Sequence, residues 1–104
     1  MPTFLMITRH APENCPLFNE KTRKTYVDWF SNMDKISKKY KMKMLWGGGV
    51  ISEHLSVFII EAPSLEAFQK ANMEPEALAL GKYETAEVKL ATGMEEAMKM
   101  LKAK

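Results

Sequence analysis

The chain predicts an α+β domain in the order strand, helix, strand, strand, helix, strand, with one further helix, built on a single antiparallel sheet. Three observations predict it. The spacing of apolar residues switches repeatedly between a period of two and a period near 3.6. Pro and Gly fall between the periodic stretches more often than inside them. At 104 residues, with 46% hydrophobic and 27% charged side chains, the chain has the size and composition of one globular core, so residues 1–104 are expected to form a single domain.

Thr3 to Arg9 is a β-branched and apolar run that reads as the first strand, and His10 to Pro16 reads as the irregular loop that ends it. From Lys21 to Tyr40, Tyr26, Trp29, Phe30, Met33, Ile36 and Tyr40 recur at three- and four-residue steps, a helix with one buried stripe and Asn19 as its N-cap. Met42, Met44 and Trp46 then alternate with Lys41, Lys43 and Leu45, placing the three larger residues on one side of a second strand. Gly47 to Gly49 are expected to loosen that strand into a bend or bulge. Leu55 to Ile60 is strongly β-forming and pairs with it as a hairpin.

Ser64 caps a second helix running to about Met73, with Leu65 and Phe68 inward, and Pro75 interrupts its continuation. A short Ala/Leu segment ends at Gly81, and Lys82 to Leu90 alternates as the fourth strand. Thr92 and Glu95 are spaced as a capping box for a terminal helix whose Met94, Ala97, Met98 and Leu101 form an inward stripe.

This order suggests a ferredoxin-like sheet, spatially 4-1-3-2, with both long helices on one face. Val57, Phe58, Ile59 and Ile60 are apolar on both sides of the third strand, whereas a sheet wetted on one face alternates. A second copy of the chain, sheet against sheet, is the economical cover, with the terminal helix available for part of it. A homodimer is the expected partner.

The order of elements, the two-sided third strand, the segments HAPENCP and ISEH, and the run MLWGGGVISEHLSVFIIEA followed by SLEAF together resemble the dimeric α+β barrel superfamily. That superfamily includes small isomerase-like, antibiotic-synthesis monooxygenase-like and stress-responsive families. The resemblance spans nearly the whole chain and implies a cavity between sheet and helices, or at the partner, that serves small organic substrates, haem or regulatory ligands. It does not select among those roles.

In the expected topology the end of the first strand and the start of the third lie at one edge of the sheet, so His10 and His54 meet there. Cys15, in a loop held by Pro12 and Pro16, joins them, with Glu13 as an oxygen donor. Imidazole and thiolate together suit Zn, Cu or Fe. The same His10 and His54 are alternatively catalytic proton carriers without any metal, because imidazole titrates near neutrality. The bland alternative makes both histidines exposed loop residues and Cys15 a small buried hydrophobe. Tyr26, Phe30 and Trp46 are placed beside that edge as the walls of a ligand pocket, against the alternative that aromatics at helical spacing are simply core.

Other classes are disfavoured. Lys21 to Lys43 holds eight basic and two acidic residues within a chain of net charge +2, which reads as a solvated helix face rather than a nucleic-acid surface. The triple glycine precedes a strand, whereas a phosphate loop precedes a helix. One cysteine excludes an intrachain disulfide, and Met1 to His10 does not read as a secretory leader, so a reducing cytoplasmic setting without membrane insertion is expected. The resulting reading is a dimeric barrel binding a small, partly apolar ligand, either as a monooxygenase- or isomerase-like enzyme using His10 and His54, or as a non-catalytic ligand sensor or structural metal-binding dimer.

Overall fold

β1 (Thr3–His10) buries Phe4, Met6 and Thr8 on one face and leaves Thr3, Leu5 and Ile7 half-covered on the other. In the computed structural model, which describes residues 1–104, this strand lies inside a sheet of order β2-β3-β1-β4 with every neighbouring pair antiparallel. The partners are β2 (Lys43–Val50), β3 (Leu55–Glu61) and β4 (Glu84–Ala91). The expected order is therefore the observed one, and the fold is α+β and ferredoxin-like.

The helices cover one face only. α1 (Glu20–Lys39) starts where the Asn19 side chain accepts the Thr22 backbone N–H at 3.1 Å, and it buries Thr22, Tyr26, Trp29 and Ile36 along one stripe. α2 (Leu65–Ala71) is capped in the same way by Ser64, whose hydroxyl accepts the Ala67 N–H. Pro75 ends that direction and begins α3 (Pro75–Leu80), where a missing N–H costs nothing in the first turn. The expected Ala/Leu linker is thus a helix of its own. Phe4, Phe58, Ile60, Trp29, Phe68 and Leu80 meet between sheet and helices as the core.

β2 departs from the expected alternation. A bulge lies between Met44 and Trp46, so Met44 pairs with Ile60 on the helix face while Trp46 pairs with Ile59 on the opposite face. One extra residue reverses the side on which every following side chain stands. The expected placement of Met44 and Trp46 on one side is corrected accordingly. Gly47 to Gly49 do not bend the chain, for they lie within the strand and none has a positive φ. Their role is room. A Cβ on Gly47 would stand 2.9 Å from Met44 Sδ and 3.0 Å from a Phe58 ring carbon, and one on Gly48 would stand 2.8 Å from the Trp46 indole.

α4 (Met94–Lys102) also differs. Gly93 is its N-cap and no side chain caps it, so the expected Thr92–Glu95 capping box is not formed. Its apolar stripe does not face inward: Met94, Met98 and Leu101 are exposed, and the helix buries none of its residues. Amphipathic spacing identified the stripe, but nothing within this chain supplies a surface for it.

That open face carries Leu5, Ile7, Leu55, Val57 and Ile59, all half-buried, with Trp46 55% exposed beside them. The basic stretch of α1 is partly neutralised on its solvent side, Lys38 by Asp34, Lys24 by Glu20 and Lys39 by Glu74. Solvent-screened pairs of this kind add little, so the fold rests on the buried apolar layer.

Phe68 is 1% exposed and its ring lies 5.3 Å from that of Phe4. Phe68→Ala is expected to lower the free energy of unfolding by about 3–5 kcal/mol in urea titrations at fixed protein concentration. Phe18→Ala, in an exposed loop, is expected to change it by less than about 0.5 kcal/mol.

Candidate metal and ligand site

Three segments far apart in sequence converge at one end of the sheet. The β1–β3 ladder runs to Arg9 opposite Leu55, which makes His10 and His54 the next residues along, and the His10 N–H donates to the His54 carbonyl at 3.1 Å. Their imidazole rings lie 5.3 Å apart, nearly perpendicular. His54 closes the tight turn Ile51–Glu53 in a left-handed conformation, φ 53° and ψ 43°. For a residue bearing a Cβ this costs about 1–2 kcal/mol.

Cys15 arrives from the loop between β1 and α1 and is 3% exposed. The loop is held by its own backbone. The Cys15 N–H donates to Pro12, and the Cys15 carbonyl accepts from the N–H groups of Phe18 and Asn19 at 3.0 and 2.8 Å. Arg23 on α1 donates through Nε and Nη2 to the carbonyls of Pro16 and Leu17, fastening the loop to the helix. One ligand atom from each of His10, Cys15 and His54 falls within 4.8 Å of the other two. Glu13 lies outside this group, exposed, with its carbonyl accepting from the Asn19 side chain.

The nitrogens Nδ1 and Nε2 of His10 and Nδ1 of His54 are buried without a hydrogen-bond partner. An unsatisfied buried polar group costs about 1–3 kcal/mol, so this concentration at one spot is unusual for a purely structural cluster.

A second polar pair lies alongside. His10 is opposite Glu84 in the β1–β4 register, and the Tyr26 hydroxyl, on α1, donates to the Glu84 carboxylate. The Tyr26 ring is 6.4 Å from that of His10. Burial first, and then the bond to Glu84, pushes the Tyr26 hydroxyl above its ordinary range. Burial raises the Glu84 carboxyl. Burial, followed by the nearby His54, holds the His10 imidazole below its ordinary value of 6.5. Glu84 was not singled out from the sequence, where it reads as one polar residue near the start of the Lys82–Leu90 strand. The 4-1 strand pairing that faces it with His10 was the available signal.

The Tyr26–Glu84 bond joins the walls of two hollows. On the Tyr26 side a cleft of about 280 Å³ is lined by Pro16, Tyr26, Phe30, Met44, Phe58 and the Gly47–Gly49 strand. On the Glu84 side a hollow of about 250 Å³ is lined by Met6, Thr8, Trp29, Leu80 and Ala86. Of the three aromatics expected to form a pocket, Tyr26 and Phe30 line the first cleft. Trp46 does not, because the bulge in β2 places it on the other face of the sheet.

No known family profile matches the chain, and no curated protein does. Solved structures do share its fold. A protein of unknown function from Rhodopseudomonas palustris is 18% identical, with a TM-score of 0.55 over 89% of this chain and 83% of that one. SnoaB, a cofactor-independent oxygenase from Streptomyces nogalater, is 17% identical, with a TM-score of 0.53 over 88% and 91%. An uncharacterised NIPSNAP-domain protein from Burkholderia xenovorans is 10% identical, with a TM-score of 0.55 over 90% and 97%. The likeness is one of fold alone, a ferredoxin-like α+β fold. No helix is long and apolar enough to cross a membrane.

Because the folded pKa of His10 is lowered, the unfolded chain takes up a proton that the folded chain refuses. In the presence of a chelator, wild-type stability is expected to fall as pH drops below about 6.5, and His10→Asn to show a smaller fall in thermal melts. Glu84 has the opposite sign, its folded pKa raised, so ionising it costs stability as pH rises above 4.5. Glu84→Gln, which keeps an acceptor for Tyr26, is expected to melt higher than wild type at pH 7, with the gap narrowing toward pH 4.5.

Proposed function

We propose that the protein is a homodimeric, cytoplasmic barrel that binds a small, planar, partly apolar molecule in the cleft beside Tyr26 and acts on it by proton transfer through His10 and His54. The observation that carries this reading is the adjacency of an aromatic cleft to two imidazoles of unequal surroundings. The cleft is walled by Tyr26, Phe30 and Phe58, and Gly47 leaves room over the Phe58 ring. Its volume of about 280 Å³ lies at the small end of ligand sites, enough for one or two fused rings. Pro16 is next to Cys15 in the chain, and Ser56 lies two residues after His54, so a ligand in the cleft sits within reach of the histidine edge.

An imidazole kept neutral by burial is a proton acceptor at pH 7, which suits abstraction of a proton from a carbon or phenol made acidic by conjugation. Such a step opens both isomerisation, by returning the proton elsewhere, and oxygenation, if molecular oxygen meets the carbanion. The fold is shared with a cofactor-independent oxygenase, which supports the second course. The lone cysteine supports a reducing compartment.

The dimer is supported by the uncovered sheet face. Leu5, Ile7, Val57 and Ile59 form a half-buried apolar surface with the exposed Trp46 at its side, on the face opposite the core that the helices share with Phe4, Phe58 and Ile60. A second copy laid across that face would bury both surfaces and put Trp46 inside the assembly. A non-catalytic ligand sensor is the competing reading, favoured by the exposed apolar stripe of α4, a surface through which an occupied cleft could be reported to a partner.

Sedimentation is expected to give twice the 11.9 kDa chain mass, and Trp46→Asp to give a folded monomer. A wild-type monomer at micromolar concentration refutes the dimer. Native mass spectrometry of the purified protein, followed by turnover assays on any retained aromatic molecule, separates the two functional readings. His10→Ala and His54→Ala are expected to abolish turnover by at least about 100-fold while retaining the far-ultraviolet spectrum. Phe30→Ala is expected to weaken ligand binding by about 2- to 12-fold. Binding without any turnover by wild type favours the sensor.

A further inference from the structure

We propose that His10, Cys15 and His54 bind a transition-metal ion of the zinc class through two imidazole nitrogens and one thiolate, with at least one coordination position left open. The proposal does not require a ligand in the aromatic cleft, but it draws on the same two imidazoles: a nitrogen that holds the ion no longer accepts a proton, so in the metal-loaded protein His10 and His54 act as ligands and not as free bases.

The donor set argues for the ion. Two nitrogens and one sulfur are borderline-to-soft ligands, which suit zinc and its neighbours and do not suit magnesium or calcium, whose shells are built from oxygen. The turn carboxylates on either side, Glu13 and Glu53, are exposed and outside the group, and Glu84, opposite His10, is also outside it. The three donor atoms are mutually within 4.8 Å. Around a tetrahedral ion, with metal–nitrogen bonds near 2.0 Å and a metal–sulfur bond near 2.3 Å, they would stand roughly 3.3–3.7 Å apart. The closing movement for any pair is therefore at most roughly 1.5 Å, within the range of side-chain rotation.

The frame is already built. His10 and His54 are tied through a backbone hydrogen bond, and Cys15 is held in a loop fastened at both ends. His54 takes a left-handed backbone conformation, a cost the fold accepts in the residue that carries one of the donors. The independent observation is the set of nitrogens. Three imidazole nitrogens of these two residues are buried and no protein group meets them, so at least two can bind an ion without breaking any hydrogen bond. Binding replaces the Cys15 S–H bond by a sulfur–metal bond and releases one proton to solvent, with no change of oxidation state.

Three protein ligands, rather than four, are the pattern of sites that keep a position for water or substrate. A structural site would be closed by a fourth side chain, and none is in the group.

The full-length protein, stripped with chelator and then dialysed against excess Zn2+ and buffer, is expected to retain about one ion per chain. Loading with Co2+ in place of zinc is expected to give a thiolate-to-cobalt charge-transfer band in the near ultraviolet and visible bands of four-coordinate intensity. Cys15→Ser is expected to abolish the charge-transfer band and weaken Zn2+ binding by at least about tenfold. His54→Gly keeps a residue at ease in the left-handed conformation, so it tests the imidazole without disturbing the turn, and it is expected to weaken binding similarly. Circular dichroism melts of both variants establish that they fold. Phe30→Ala, in the cleft, is expected to leave metal affinity unchanged. Failure of wild type to retain zinc, a cobalt spectrum without the charge-transfer band, or full affinity in folded His54→Gly overturns the proposal. Any of these leaves the cleft reading intact, since that is tested by the Phe30→Ala effect on the organic ligand.

Discussion

The ladder between β1 and β3 is the constraint on which the rest depends. Its antiparallel register carries the chain from Thr3 opposite Glu61 to Arg9 opposite Leu55, and the next step brings the backbones of His10 and His54 into hydrogen-bond contact. A slip by one residue would break that pairing and would also turn Phe4, Met6, Phe58 and Ile60 away from the helices. Core and candidate site are consequently set by the same hydrogen bonds. The apolar side of the ladder makes the wrong register expensive, which is how weakly specific polar residues at its end acquire a definite geometry.

The two faces of the sheet have been given different tasks. On the helix face, the absence of side chains at Gly47 lets Phe58 and Met44 close over the strand, and the cleft by Tyr26 opens beside them. On the other face, Gly48 lies beneath the Trp46 indole. A single bulge at Leu45 separates these roles by moving Trp46 to the side that the helices leave bare. An edge strand tolerates such an insertion because only one of its sides is paired. β2 is that edge, so the irregularity disturbs no further strand.

Polar groups are concentrated where the helix layer meets the end of the sheet. Tyr26 and Glu84 satisfy each other there, while the imidazoles of His10 and His54 do not find protein partners. The difference is informative. A buried hydroxyl and carboxyl joined by a hydrogen bond tie α1 to β4, whereas the imidazole nitrogens have no protein partner and so add nothing to the packing.

Much of this was legible in the residues. The periods of α1, β1 and β3, the caps at Asn19 and Ser64, and the convergence of His10 with His54 follow from local preference and from the few topologies open to a βαββαβ chain. Cys15 was nameable as a companion because two prolines frame a loop too short to wander. The side on which Trp46 stands was not legible, since a bulge leaves no signature in alternation, and triple glycine pointed to the wrong residue for the irregularity. The capping box at Thr92 was formally present and unused, because Gly93 begins α4 instead. Glu84 became interesting only when β4 placed it opposite His10. What the amino-acid order determined by itself is the set of elements and their pairing, since these depend on spacing along the chain. What only the tertiary structure decided is which side chains share a face, a wall or a ligand, since these depend on distances between segments that are remote in sequence, and a one-residue irregularity is enough to change them.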